Sequence, residues 1–105
     1  MIKVSILYQN RQAGRFDMDY YVNTHMPMSI QMLGTALRGV TVEHGLSGMK
    51  LESEPACVAM CHLFFDSVEA FQSAFAPHAE SIRNDIVNYT NIEPIIQFSE
   101  VKIHQ

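Results

Sequence analysis

The ten residues Ala56-Cys57-Val58-Ala59-Met60-Cys61-His62-Leu63-Phe64-Phe65 form the longest apolar stretch of the chain. They are far short of the roughly 20 apolar residues a membrane-spanning helix needs. Read as a strand, the stretch sends Cys57, Ala59, Cys61, Leu63 and Phe65 to one face and Val58, Met60, His62 and Phe64 to the other. Both faces are apolar, whereas a sheet with helices on one side and water on the other alternates apolar with polar. The strand therefore predicts two covers: helices on one face and a second copy of the sheet on the other. Lys3 and Ser5, on one face of the first strand, count against that second cover. The expected assembly is nonetheless a homodimer.

Working outward, Ile2, Val4, Ile6 and Tyr8 alternate with Lys3, Ser5 and Leu7, a second strand signal. After the polar loop Gln9 to Arg15, Asp17 has the position of a helix N-cap, with Phe16 and Tyr21 placed as a hydrophobic staple around it. Pro27 predicts a kink or restart, and Gly34 a stop. Tyr21, His25, Met28 and Met32 fall at helical spacing and predict one apolar stripe. Val40 to Leu46 alternates again, and Ser47 to Pro55 reads as an exposed connection. Asp66 and Glu69 stand in capping-box register before a second helix. That helix carries Val68, Phe71, Phe75, Ala79, Ile82, Ile86 and Tyr89 at spacings of three and four, with a break expected at Pro77. Pro94 to Ile103 reads as the last strand. The order β-α-β-β-α-β is the ferredoxin-like pattern of an α+β protein, and it accounts for residues 1–105 as a single domain.

Composition narrows the function classes. Of the 105 residues 48% are hydrophobic and 17% charged, against about 25% charged in an average soluble domain. The net charge of −4 and the lack of clustered basic residues argue against binding a nucleic-acid backbone. The apolar run at Ile2 to Tyr8 is broken by Lys3 and Ser5, unlike a secretory h-region, and no stretch fits a membrane span. Cys57 and Cys61 would lie about 13 Å apart along one strand, beyond the roughly 7 Å between Cα atoms that a disulfide allows. They read as small buried hydrophobes of a cytoplasmic protein.

The segment Gly14-Arg15-Phe16-Asp17-Met18-Asp19-Tyr20-Tyr21 leading into Thr24-His25-Met26-Pro27 resembles the EthD family. So do Phe65-Asp66-Ser67 and the run Asp85-Ile86-Val87-Asn88-Tyr89-Thr90 before Pro94. The resemblance covers nearly the whole chain. It implies a dimeric α+β barrel, in which two ferredoxin-like subunits join sheets face to face, with a cavity between the sheet and helices of each. The family takes its name from ethyl tert-butyl ether degradation, where it accompanies an oxidising system. The wider dimeric-barrel group it implies includes cofactor-free oxygenases, cyclases, isomerases and haem-degrading enzymes. Fold follows from such a likeness more firmly than reaction does.

His25 is the first candidate for chemistry, since an imidazole on the apolar stripe would suit proton transfer near neutrality. A core histidine held by a backbone carbonyl or by Asp85 is the structural alternative. Asp85, three positions after Ile82, could orient a histidine or act as a base, or pair with Arg83 at the surface. Tyr20, Tyr21 and Tyr89 could offer phenolic donors to a ligand. His44 and His62 lie on apolar faces and could converge with His25. No H-x-x-H or H-E-x-x-H spacing supports a metal, however, and no haem-attachment motif or Trp supports haem. No cofactor is expected.

Two functions fit. One is an enzyme that binds a small apolar or aromatic oxygenated molecule and catalyses metal-free proton-transfer chemistry: isomerisation, cyclisation or cofactor-free oxidation. The other is a noncatalytic binding or accessory protein of an oxidising system.

Overall fold

The computed structural model describes all 105 residues. Four segments of alternating pattern form strands: β1 (Ile2–Gln9), β2 (Gly39–His44), β3 (Cys57–Phe65) and β4 (Ile95–Glu100). They make one antiparallel sheet in the order β2-β3-β1-β4, the ferredoxin-like arrangement expected from the element order. Register places Val4 opposite Leu63 and Phe98, and Ile6 opposite Cys61 and Ile96, so one row of apolar side chains crosses the sheet. The helices pack on that row. The core they enclose includes Val4, Tyr8, Ala59, Cys61 and Phe65 from the sheet and Tyr21, Leu33 and Tyr89 from the helical segments.

The first helical region begins as expected. Asp17 accepts a hydrogen bond from the Tyr20 amide, capping α1 (Met18–Tyr20). Phe16 packs edge-on against Tyr21, ring centroids 5.0 Å apart, closing the staple. Next comes a π-helical turn, Tyr21–His25, and then α2 (Met26–Leu33), with Pro27 in its first turn. Proline has no N–H to donate back along the helix, and the wide turn before it absorbs the break. The extra residue in that turn also shifts the phase of everything after it. The expected stripe Tyr21, His25, Met28, Met32 is therefore correct only in its first half. Met26, Ser29 and Leu33 take the buried positions beyond the turn, and Met28 and Met32 move to its flank. Gly34 ends α2 at φ 64° and ψ −149°, a conformation reserved for glycine.

The second helical region runs as α3 (Val68–Phe75), a 3₁₀ turn at Ala76–His78 that contains Pro77, α4 (Ala79–Asp85) and a final 3₁₀ turn at Ile86–Asn88. Its cap is Ser67, whose hydroxyl accepts from the Ala70 amide, one residue after the expected Asp66. Asp66 instead pairs with the Arg38 guanidinium at 2.9 Å. Two strand boundaries also differ from expectation. The chain leaves β2 at Gly45, where a Cβ would strike the Cys57 carbonyl, and Leu46 beyond it is exposed. β4 stops at Glu100 because the rung formed by Val101 with the Met1 carbonyl uses up the start of β1.

Cys57 and Cys61 are free thiols and buried. On the sheet face away from the helices, Val58, Met60, His62 and Phe64 are half-buried in the single chain. Ser5 and His62 meet there at 2.8 Å, and the other ring nitrogen of His62 lies 3.1 Å from a Glu43 oxygen. No helix is long and apolar enough to cross a membrane.

Candidate functional site

Between the sheet and the helices lies a cavity of about 270 Å³. Val4, Ile6 and Tyr8 of β1 and Cys61 and Leu63 of β3 form its floor. Fifteen of its nineteen lining residues are hydrophobic, so an occupant must be largely apolar. An engineered apolar cavity of about 150 Å³ holds benzene, so this one has room for one or two rings. Its polar atoms are few and grouped.

His25 comes from the π-helical turn, a local widening that frequently marks functional sites. It is 5% exposed and lines the cavity. Its Nδ1 lies 2.9 Å from an Asp85 carboxylate oxygen. The other oxygen of Asp85 accepts from the Tyr20 hydroxyl at 2.7 Å and the Asn88 amide at 2.9 Å. Burial by itself would raise the Asp85 carboxyl, but the three donors Tyr20, Asn88 and His25 together hold it below the ordinary carboxylate value. The ionised carboxylate accepts only, so His25 Nδ1 carries the hydrogen.

Burial also lowers the pKa of His25, and the neighbouring Asp85 only partly opposes this. The ring is therefore neutral at pH 7, with a lone pair on Nε2. That nitrogen makes no hydrogen bond with the protein, yet no fully buried side-chain nitrogen or oxygen lacks a partner. Nε2 is therefore not sealed in, on a ring that lines the cavity. The ring plane is fixed as well: Tyr21 stacks on it at 5.5 Å and 12°, and Tyr89 leans on it at 4.6 Å. The Ser29 hydroxyl, one turn on, donates to the His25 carbonyl.

Of the residues expected at a site, the structure brings together His25, Asp85, Tyr20, Tyr21 and Tyr89. Tyr21 and Tyr89 line the cavity, and burial raises the pKa of both phenols, which remain neutral donors. Tyr20 and Asp85 stand outside the lining: Tyr20 bonds Asp85, which holds the lining residue His25, and its ring stacks on Tyr89. His44 and His62 do not converge with His25. His62 points to the opposite sheet face because it alternates with Cys61 and Leu63. His44 is exposed at the end of β2. No three His, Cys, Asp or Glu side chains gather as metal ligands would. Asp85 turns inward and does not pair with Arg83, which has no carboxylate partner.

Three contributors escaped the sequence reading. Tyr8 shares a 2.7 Å hydroxyl contact with Tyr89 at the cavity wall, and its place in the inward row of Val4 and Ile6 was the available signal. Asn88, three residues after Asp85, had the spacing to support that carboxylate. The Cys61 thiol, pushed up to about 11 by burial, faces the same space.

Comparison with known proteins agrees with this architecture. The EthD domain model matches residues 15–93. An EthD-like protein from Ralstonia eutropha JMP134 has the same structure, with a TM-score of 0.94 and 44% identity over 99% of this chain and 94% of that one. An ethyl tert-butyl ether degradation family protein from Bacillus halodurans C-125 superposes with a TM-score of 0.72 at 22% identity, covering 96% of this chain and 98% of that one. HapK from Hahella chejuensis shares the fold at a TM-score of 0.60 and 10% identity, covering 100% of this chain and 97% of the other. No curated protein matches significantly in sequence. The domain match spans most of the chain and the fold is shared end to end; the protein belongs to the EthD family.

Proposed function

We propose that the protein binds a small apolar or aromatic oxygenated molecule in the cavity and catalyses metal-free proton transfer on it, with His25 as the base. The observation that carries this reading is the unpaired Nε2 of a buried, neutral imidazole whose Nδ1–H is engaged by a carboxylate. A nitrogen sealed in the interior without a partner would cost about 1–3 kcal/mol, whereas this one keeps access and stays free to accept a proton. Here one nitrogen is fixed and the other is offered to the cavity, as general-base catalysis requires.

His25 Nε2 would take a proton from a C–H or O–H of the bound molecule, and Asp85 would stabilise the imidazolium that results. Tyr21 and the Tyr8–Tyr89 pair supply hydroxyls near the developing oxyanion. The apolar walls exclude water. Isomerisation, cyclisation and cofactor-free oxidation all begin with such a step. The half-buried outer sheet face supports a homodimer as the working form, and the two free thiols fit a reducing compartment such as the cytoplasm.

The test is a thermal-shift screen of small oxygenated aromatics, with turnover then followed on each binder for wild type and His25→Ala. The expected result is binding by both and a loss of about 10²–10⁴-fold in turnover by the variant. Full turnover without the imidazole would remove His25 from the chemistry. Binding with no conversion by the wild type would favour a noncatalytic binding role beside an oxidising partner.

A further inference from the structure

The cavity has a cation at its rim. Arg83 lines it together with Phe75, and its guanidinium carbon stands 5.7 Å from the centroid of that ring. Its side chain is exposed and makes neither a salt bridge nor a hydrogen bond, whereas Arg38 and Lys102 are each paired with a carboxylate. Arg83 is the one Lys or Arg among the lining residues.

Helical geometry relates Arg83 to the reacting end. Ile82 and Ile86 point from α4 and the turn after it into the cavity. Successive helical residues are about 100° apart, so Asp85 and Arg83 lie on opposite flanks of that pair. Asp85 reaches His25 from one flank, and Arg83 leans over Phe75 from the other. On the sheet side, Ile96 and Phe98 face the cavity from the edge strand β4 and are still 56% and 45% exposed, so the space opens to solvent on that side. An entering molecule meets an unpaired guanidinium at the rim and a neutral imidazole on the same cavity wall further in.

Resting on the catalytic reading of the cavity, we propose that Arg83 is a specificity-determining residue and that the substrate class is an apolar, one- or two-ring organic acid. Its carboxylate sits on Arg83, and the end remote from it lies at His25 Nε2. A planar guanidinium matches a carboxylate in a bidentate fork. Phe75 beneath it restrains the fork. The apolar lining accepts the rest of such a molecule but offers no second site for a charge.

The test compares trans-cinnamate with cinnamamide, and 1-naphthoate with 1-naphthamide, matched pairs that differ in charge and little in shape. Dissociation constants are measured by titration calorimetry at pH 7.5 and low salt on wild type, Arg83→Gln and His25→Ala. Wild type is expected to hold the better-fitting acid about tenfold more tightly than its amide, the scale of one charge-assisted contact. Arg83→Gln should erase that preference and leave amide affinity unchanged, and His25→Ala should retain it. Equal binding of acid and amide by wild type overturns the assignment to organic acids while leaving the cavity reading intact. A preference that survives Arg83→Gln, or disappears in His25→Ala instead, overturns the role of Arg83. Failure of all four compounds to bind overturns the assignment to one- and two-ring acids, and the turnover screen still decides the catalytic reading separately.

Discussion

At the scale of the residue, burial shifts His25 and the donors around Asp85 shift its carboxyl, and folding stability must record both. The His25 pKa in the folded protein lies below the 6.5 of an ordinary imidazole. Below that pH the unfolded chain takes up a proton at position 25 that the folded chain refuses. The contribution of His25 is thus complete above about pH 6.5 and declines as the pH falls toward the folded value. Asp85 acts in the same direction at lower pH. Its folded carboxyl lies below the ordinary 3.8, so its contribution is intact above that pH and is lost as the pH falls through the folded value. Urea unfolding of wild type and His25→Gln at pH 8, 6.5 and 5 isolates the first effect, because the other histidines are common to both. Wild type should lose stability faster than the variant between pH 6.5 and 5. Parallel curves would mean that His25 titrates alike in both states.

At the scale of the element, what the sequence disclosed was periodicity and punctuation, and it misled where the backbone departed from a regular helix. Asp17, Phe16 and Tyr21 were legible because a cap and its staple are local chemistry. The π-helical turn was not, since it adds one residue to a turn without any signature apart from Pro27 nearby. That single insertion moved burial from Met28 and Met32 to Met26, Ser29 and Leu33. The cap of the second helix slipped by one residue for a related reason: Asp66 and Ser67 both suit the position, and Arg38, 28 residues away, claims the carboxylate. Ser67→Ala should therefore cost about 1 kcal/mol, or roughly 5 °C in Tm for a chain of this size. Asp66→Ala should cost less, because its pair with Arg38 is exposed on both sides. Thermal melts of the two variants decide, and the reverse order would return the cap to Asp66.

At the scale of the whole molecule, the shortage of charge has two locations. One is the cavity and the core around it. The other is the sheet face carrying Val58, Met60 and Phe64, which a single chain leaves half-covered. The alternation of β3 disclosed both faces, but which candidates shared a cavity depended on long-range placement that no local pattern carries. By sequence His62 and His25 both fall on apolar faces, yet they lie on opposite sides of the sheet. The proposed dimer predicts light scattering at twice the 11.9 kDa chain mass, and Met60→Lys, which sets a charge in that face, should give a folded monomer. A wild-type monomer at micromolar concentration would leave the second face without a partner copy.

The proposed chemistry stands on a neutral imidazole that presents Nε2 to the cavity while Asp85 holds its Nδ1–H. Long-range ¹H–¹⁵N correlation of the histidine side chains at pH 7, with His25 assigned by comparison with His25→Gln, reads this state directly. The expected spectrum is that of an Nδ1-protonated neutral ring, with Nε2 unprotonated. An imidazolium at that pH, or a proton on Nε2, would contradict it.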